Sequence, residues 1–279
     1  MAGRTSYREP RPVLLLLGLL LSGLGATVKL YGGLRYESRA VLVDGITCIA
    51  NLAAGAIVLW GVTQSRRPPD LDHPYGHERL VYTGILFLVL AYAFSAGLAT
   101  GVLFYSGSHY RVRAESAVYA LLGSTIYAVS VLVSRYSGSG GESYAFFTFS
   151  EVLEGIVSAG AALGGAEISS LIDYIGAIGI TLYIFYEIAE ETGTLVKLLS
   201  DAAEPALVRR VKRELENLGF KVEWVRLRPS VPGRYIGDAL VKAQGIPPDI
   251  ADLLIDELAE NLKKEENIEL TVHIDYNTA

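Results

Sequence analysis

The chain is poor in cysteine and histidine: its 279 residues include one cysteine, Cys48, and four histidines. A single cysteine excludes an intrachain disulfide framework and a cysteine-rich zinc module. The sequence also lacks a phosphate-binding glycine loop, a nucleophile motif and an HExxH zinc motif, which argues against an enzyme. The formal net charge of −6 gives no support for nucleic-acid binding.

Apolar residues are abundant and unevenly distributed. They make up 51% of the chain, the mean hydropathy is +0.35, and the part after Asp201 is the richest in charge. This asymmetry predicts a membrane domain, residues 1–200, followed by a soluble domain, residues 201–279. Arginines precede the first apolar run, as in a signal peptide, but no clear cleavage site follows and five more apolar runs do.

Six apolar runs are long enough to cross the hydrocarbon core, which requires about 20 residues each. An even number of spans puts both termini on one side, and the bias of basic residues favours the cytoplasm for that side. We therefore predict an integral protein of the plasma membrane, embedded in the lipid bilayer, with both termini cytoplasmic. The runs lie at roughly 12–31, 40–63, 79–105, 114–135, 145–164 and 168–192. The inner side receives Arg4, Arg8, Arg11, Arg66, Arg67, Arg79, Arg135 and Lys197, and the outer side Lys29, Arg35, Arg39, Arg111 and Arg113.

The last 75 or so residues carry alternating helix and strand patterns. EPALVRRVKRELENLG has helical spacing, with Pro205 near its start and Gly219 just past its end, as helix caps prefer. KVEWVRLRP, RYIGDALVKAQ and IELTVHIDY have strand patterns, and PPDIADLLIDELAENLKK is a second amphipathic helix. The order α-β-β-α-β predicts a small α+β domain with helices on one sheet face. Its thin core predicts that dimer contacts help to stabilise it.

A specific motif lies between the second and third apolar runs, where the loop from Asp70 to Arg79 reads DLDHPYGHER. Together with SRAVLVDG in the second run, LIDYIGAIGITLYIFYE in the sixth and VHID near the end, it resembles the cation diffusion facilitator family of divalent-metal transporters. The resemblance covers nearly the whole chain. It implies a six-helix membrane domain, a ferredoxin-like αββαβ cytoplasmic domain, a homodimer, and export of a divalent metal cation in exchange for protons.

The transport site that the family uses departs here from its usual residues. In that family one tetrahedral site takes two ligands from the second span and two from the fifth, four residues apart in each. The resemblance puts Thr47, Asn51, Phe147 and Glu151 at these positions. Only Glu151 is an ordinary ionisable ligand, which argues against a zinc-selective site.

Neighbouring polar residues predict a rearranged site instead. Asp44 shares a helix face with Thr47 and Asn51, and Glu154 lies one turn beyond Glu151. Ionisable residues within spans usually face a polar interior. Such a site is rich in oxygen ligands, which suit magnesium or manganese better than zinc.

Two other interpretations of the same residues stay open. Thr47 and Asn51 can simply hydrogen-bond between helices, while Asp44 and Asp173 hold inter-helix contacts. The protein can also have lost ordinary transport. Cys48, four residues after Asp44, lies beside the predicted ligand face.

Two further groups of metal ligands follow from the resemblance. Asp70, His73 and His77 match family positions that bind a second metal in the loop, and Pro74 and Gly76 argue that this segment is not helical. The alternative is a loop whose histidines only make hydrogen bonds.

In the tail, His273 and Asp275 match the family's H-x-D, and they point to the same face of a strand by period two. Glu223 and Asp252 fall where other tail ligands occur, while ordinary surface polarity is the alternative for all four. The resemblance also implies that a basic residue after the loop, Arg79, pairs with an acidic residue at the end of the sixth span, Asp201.

The sequence leaves two functions open. The first is a secondary transporter that exchanges a divalent cation (zinc, manganese, iron or magnesium) for protons through an atypical site. The second is a membrane metal sensor or scaffold that does not transport and binds metal only in the loop and the tail.

Overall fold

The computed structural model describes residues 12–65, 67–106, 110–136, 149–231, 233–243 and 245–276. Phe147, which belongs to the predicted transport site, lies outside these residues. The chain forms two compact units with their boundary between Gly193 and Thr194.

The first unit is helical. Its long helices are α1 (Pro12–Arg35), α2 (Arg39–Gln64), α3 (Val81–Ser106), α4 (Glu115–Arg135), α5 (Phe149–Glu167) and α6 (Ser170–Leu199). Among the described residues, five helices are long and apolar enough to cross a membrane: α1, α2, α3, α4 and α6. Helix α5 carries Glu151 and Glu154, which lower its hydropathy, so the prediction of six spans stays a prediction at that segment.

One basic residue lies elsewhere than the sequence predicted. The bias of basic residues counts Lys29 among the charges of the outer side, but α1 continues to Arg35 and the side chain of Lys29 is completely buried. The physical reason is a carboxylate partner: Asp44 on α2 accepts a hydrogen bond from its ammonium group, so the charge is not alone in the apolar interior.

Helix α2 packs against α1, α3 and α5 and is the most enclosed of the candidate spans. Its approach to α1 depends on small residues, since a Cβ on Gly33 would lie 2.6 Å from the backbone of Leu42. This position at the centre of the unit directs the polar face of α2 towards neighbouring helices.

A buried aspartate on α6 fixes the start of α2. The carboxylate of Asp173 accepts hydrogen bonds from Ser38 Oγ (2.6 Å), Arg39 N (2.7 Å) and Tyr110 Oη (2.6 Å). It satisfies a backbone donor at the helix N-terminus, as an N-cap side chain does. Burial and the contact with Asp173 raise the pKa of Tyr110. The predicted inter-helix role of Asp173 is therefore observed in the structure.

The second unit contains two helices and a three-stranded sheet in the predicted order α-β-β-α-β. Strand β2 lies in the middle, antiparallel to β1 and parallel to β3. Pro205 begins the first helix and Gly219 follows it with φ of 93°, as predicted from capping preferences. The elements are α7 (Pro205–Asn217), β1 (Lys221–Val231), β2 (Arg234–Lys242), α8 (Pro248–Glu266) and β3 (Ile268–Asp275).

The core of this unit is formed by both helices and the sheet. Val211 and Leu215 of α7, Ile255 of α8, and Val241 and Ile268 of the sheet are buried in one cluster. A packed core of this size supports the predicted α+β arrangement. The ferredoxin-like assignment and the homodimer stay predictions.

Candidate cation sites

A buried cluster joins α2 and α5 inside the first unit. Asp44, Cys48 and Glu151 each offer one ligand atom, and these atoms lie within 4.8 Å of one another. All three side chains are completely buried. Asp44 and Cys48 are four residues apart, so both lie on one face of α2, opposite the first turn of α5.

Glu151 is the centre of this cluster. Its Oε2 accepts a hydrogen bond from Cys48 Sγ at 2.7 Å, and its Oε1 accepts one from Asn51 Nδ2. Two of the four family positions, Asn51 and Glu151, are thus brought together as the sequence predicted. The amide oxygen of Asn51 is buried and has no hydrogen-bond partner among the described residues.

Thr47, another of the four family positions, uses its hydroxyl within its own helix. Its hydroxyl donates to the carbonyl oxygen of Val43 at 2.9 Å, one turn back along α2. This contact is the usual way in which a buried threonine within a helix satisfies its hydroxyl.

Asp44 connects three helices. Its Oδ2 accepts a hydrogen bond from Ser158 Oγ on α5 at 2.5 Å, and its Oδ1 accepts one from Lys29 Nζ on α1 at 2.8 Å. The predicted inclusion of Asp44 in the polar interior is therefore observed, together with an inter-helix role.

Sequence reasoning missed Lys29 as a member of this cluster. The signal was present, because a lysine within an apolar run is costly to bury without an acidic partner. Asp44 in the next span is such a partner. The sequence prediction places Lys29 among the basic residues of the outer side and therefore does not include this pairing.

Glu154, one turn beyond Glu151 on α5, is buried and has neither carboxylate oxygen hydrogen-bonded within the described residues. It borders a cavity of about 320 Å³ between α5 and α6. Leu153, Val157, Gly179, Ile180 and Tyr183 complete the lining. Burying a carboxylate without a partner costs free energy, so this group is expected to bind a proton or a cation.

The loop brings its three predicted ligands together. Asp70 Oδ1 lies 3.4 Å from His73 Nδ1, Asp70 Oδ2 lies 3.3 Å from His77 Nε2, and the imidazole centroids are 4.2 Å apart. The segment is not helical, as Pro74 and Gly76 predicted, and Gly76 has a φ of 84° that suits glycine. The backbone N–H of His73 donates to the carboxylate of Asp70 at 2.7 Å and holds its pKa below the ordinary value.

The four predicted tail ligands are not gathered within one chain. Among the described residues only the buried cluster and the loop group supply three or more close ligand atoms. Glu223 lies 3.3 Å from the ammonium group of Lys242, and Asp252 accepts a hydrogen bond from Tyr276. His273 and Asp275 lie on β3 beside Leu240 and Lys242 of β2.

The pairing of Arg79 with Asp201 stays a prediction, because the two residues belong to different units. The guanidinium of Arg79 lies over the ring of Tyr82, with its Cζ 5.8 Å from the ring centroid. Asp201 has a left-handed backbone with φ of 55°.

Comparison with known proteins identifies the family of the chain. The profile of the cation efflux transmembrane domain matches residues 15–199. The chain belongs to the cation diffusion facilitator family. That match covers every helix that contributes to the buried cluster and the loop that holds the histidines.

Individual relatives include two manganese efflux system proteins of Bacillus subtilis. MneP is 30% identical over 206 residues, which is 73% of this chain and 61% of MneP. MneS is 38% identical over 79 residues, 26% of this chain and 27% of MneS. The magnetosome protein MamM of Magnetospirillum gryphiswaldense is 32% identical over 78 residues, 28% of this chain and 24% of MamM. The chain thus spans less than two thirds of the length of these relatives.

Proposed function

We propose that this cation diffusion facilitator exports a divalent cation from the cytoplasm in exchange for protons, through an atypical site of Asp44, Cys48, Asn51, Glu151 and Glu154. The observation that carries the proposal is that buried Asp44 and Cys48 of α2 and buried Glu151 of α5 bring three ligand atoms within 4.8 Å of one another. Buried ionisable groups within candidate spans usually mark an ion pathway.

The charges of the cluster suit a divalent ion. Asp44, Glu151 and Glu154 are three buried acids, and Lys29 is one buried base that pairs with Asp44. When all four groups are ionised their net charge is −2, which balances the charge of one divalent ion. When the cation leaves, two protons can take its place on these carboxyl groups, since an unpaired buried charge is costly. Exchange of one cation for two protons would keep the site electrically balanced.

The ligand atoms favour a hard or borderline cation over zinc. The candidates are carboxylate oxygens, an amide oxygen and one thiol, with no imidazole in the described part of the cluster. Oxygen ligands suit magnesium and manganese, whereas zinc usually takes sulfur and nitrogen. The names of MneP and MneS refer to manganese efflux, and we take manganese as the first cation to test.

The remaining parts of the proposal concern location and assembly. We propose the plasma membrane, cytoplasmic termini and a homodimer whose tail domains contact each other. The small size of the second unit, with one core formed by two helices and a three-stranded sheet, supports a domain that gains stability by self-association. Native mass spectrometry of the full chain in detergent tests the dimer, and labelling of a cysteine introduced into the tail tests the orientation in intact cells.

Flux in reconstituted vesicles tests the transport proposal. Full-length protein is placed in vesicles with an imposed proton gradient, and uptake of Mn²⁺, Mg²⁺, Fe²⁺ and Zn²⁺ is followed together with internal pH. We expect Mn²⁺ uptake driven by proton release, with about two protons moved per cation by the charge argument above. Absence of flux for all four cations would reject a transporter of this kind.

A second candidate, a membrane metal sensor that does not transport, is favoured by one observation. The ligands Asp70, His73 and His77 form a group on their own, without any side chain from the buried cluster. For a sensor, metal binding would be lost with the loop ligands while flux would be absent from the outset. Binding and flux measured on the same preparation therefore separate the two functions.

A further inference from the structure

The ammonium group of Lys29 lies within the proposed cation site, among Asp44, Cys48 and Glu151. Its Nζ donates hydrogen bonds to Asp44 Oδ1 at 2.8 Å and to the carbonyl oxygen of Glu151 at 3.3 Å, and it lies 3.4 Å from Cys48 Sγ. An ammonium group has three N–H donors, so all three have a partner in the cluster. Every one of those partners belongs to a candidate metal ligand.

The path of the lysine side chain is built by small residues on two neighbouring helices. A Cβ on Gly123 of α4 would lie 2.5 Å from Lys29 Cγ. A Cβ on Gly155 of α5 would lie 3.0 Å from Lys29 Nζ. The ring of Tyr127 is the third wall, with its centroid 5.3 Å from Nζ. The helices thus leave a slot that holds this one side chain and aims it at Asp44.

A metal ion and this ammonium group exclude each other at close range. Divalent cations bind carboxylate oxygens at about 2.0–2.6 Å, so an ion on Asp44 and Glu151 would lie within a few ångströms of Lys29 Nζ. The repulsion of two positive charges at such a distance in a buried site is strong, because little solvent screens it.

We propose that Lys29 is a tethered counter-cation, which occupies the Asp44 arm of the site when no metal is bound and is displaced from Asp44 by the transported cation. This inference rests on the proposed function for the identity of the competing ion, a divalent metal. Lys29 is a specificity-determining residue in this scheme. It neutralises Asp44 between transport events, and only a cation that binds Asp44 more strongly than the ammonium group does can displace it.

Binding of Mn²⁺ to the full-length protein tests the competition. All variants carry Asp70→Asn and His77→Gln, so that the loop does not contribute to binding. Lys29→Met removes the ammonium group at similar length, and Lys197→Met removes the same charge from an exposed position on α6. We expect Lys29→Met to bind Mn²⁺ roughly tenfold or more tightly than its parent, since a unit charge a few ångströms away has been removed. Lys197→Met should bind as the parent does. Equal or weaker binding by folded Lys29→Met would overturn the proposal.

Thermal unfolding distinguishes competition from a purely structural ion pair. Lys29→Met leaves the carboxylate of Asp44 buried without its base, which is destabilising. If a metal takes the place of the ammonium group, Mn²⁺ should raise the unfolding midpoint of Lys29→Met more than that of the parent. If the ion pair is only structural, Mn²⁺ should give no larger increase in Lys29→Met. A variant that stays unfolded even when Mn²⁺ is present throughout purification would also overturn the proposal.

A double variant assigns the competition to Asp44. Lys29→Met with Asp44→Asn removes both charges and should fold without added metal. It should lose the gain in Mn²⁺ affinity of the single variant, because the arm that Lys29 occupied is gone. Retention of that gain in the double variant would show that Lys29 does not compete at Asp44.

These measurements separate this inference from the proposed function. If the parent protein transports Mn²⁺ and Lys29→Met shows no gain in affinity, the proposed transport function stands and the proposed role of Lys29 is rejected. If the parent protein shows no flux and Lys29→Met binds Mn²⁺ clearly more tightly, competition at this site stands and the transport function is rejected.

Discussion

The buried cluster and the loop group each bring three candidate metal ligands close together, but their surroundings are opposite. In the loop, Asp70 and His73 are exposed and only His77 is buried, and the ligands come from one short segment. In the bundle, Asp44, Cys48 and Glu151 are completely buried on two helices, and a third helix supplies a base to balance them. Burial makes charge balance the dominant requirement, whereas solvent screens the loop.

The difference also sets the chemistry of the two groups. Two imidazoles and a carboxylate in the loop suit zinc, while the acids of the bundle suit harder cations. We therefore predict that the loop group binds zinc and the buried cluster binds harder cations. We also predict that a substitution in one group leaves metal binding by the other unchanged.

The largest expected effect is at Glu151. Glu151→Gln removes the carboxylate that Cys48 and Asn51 both contact and that the proposed site uses to bind the cation. Loss of one partner from a buried ion pair costs about 3–5 kcal/mol, here in cation binding. Flux of Mn²⁺ in vesicles should fall by at least about a hundredfold, since each 1.4 kcal/mol is a factor of ten.

The matched control for this variant is Glu167→Gln. It makes the same change at the exposed end of the same helix and should transport as the parent does. Parent-like flux of Glu151→Gln at every pH tested would remove the buried cluster from the transport pathway.

The two groups were not equally predictable from the sequence. The loop ligands lie within eight residues of one another, so a local motif was sufficient to find them. The buried cluster depends on contacts such as Lys29 with Asp44, fifteen residues apart, and Cys48 with Glu151, 103 residues apart. Helical spacing indicated which residues share a face of α2. Helical spacing does not indicate which residue of α1 faces them. Only the charge of Lys29 does, since a lysine within an apolar run needs an acidic partner.

The fold followed the same rule. Helix spacing and caps predicted α7 and its ends, and alternation predicted the three strands, because these patterns are local. The cap that Asp173 provides for α2 depends on a contact across 135 residues, which no local pattern contains.

The second prediction concerns Asp173, a buried carboxylate whose described contacts are all with protein donors. Asp173→Asn replaces one acceptor oxygen by a donor facing Ser38, Arg39 or Tyr110. We expect a loss of about 1–3 kcal/mol in the free energy of unfolding, since a buried donor is left unsatisfied. The loss should be the same with and without Mn²⁺, and Mn²⁺ affinity should stay within about twofold of the parent's, as for distant independent sites.

Thermal unfolding in both conditions measures this prediction. The result separates buried carboxylates that hold helices together from buried carboxylates that belong to the proposed cation site. A Mn²⁺-dependent loss for Asp173→Asn would place Asp173 with the second kind.

The third prediction is for the loop ligands. In a Glu151→Gln background, Zn²⁺ binding measured by calorimetry should weaken by about tenfold or more for Asp70→Asn, because one charged ligand is lost. Asp72→Asn is the matched control two residues away. With Glu151 intact, Asp70→Asn should transport Mn²⁺ within about twofold of the parent rate, by the same independence of distant sites. Loss of flux would connect the loop to the transport pathway and break the comparison.

The smallest expected effect concerns the protonation of Asp70 in the loop. The backbone N–H of His73 and the nearby imidazoles hold the pKa of Asp70 below that of a free aspartate, about 3.9. A lowered pKa in the folded protein means that the charge of this carboxylate is fully present above about pH 3.9 and is lost only as the pH falls through its folded value. Asp70 should therefore stay ionised from about pH 7.5 to about pH 5. NMR of the metal-free protein checks this, because the carboxyl carbon of Asp70, identified by its absence from Asp70→Asn, should show no protonation step over that interval. A protonation step of this carboxyl group above about pH 5 would contradict the hydrogen bond that His73 donates to it.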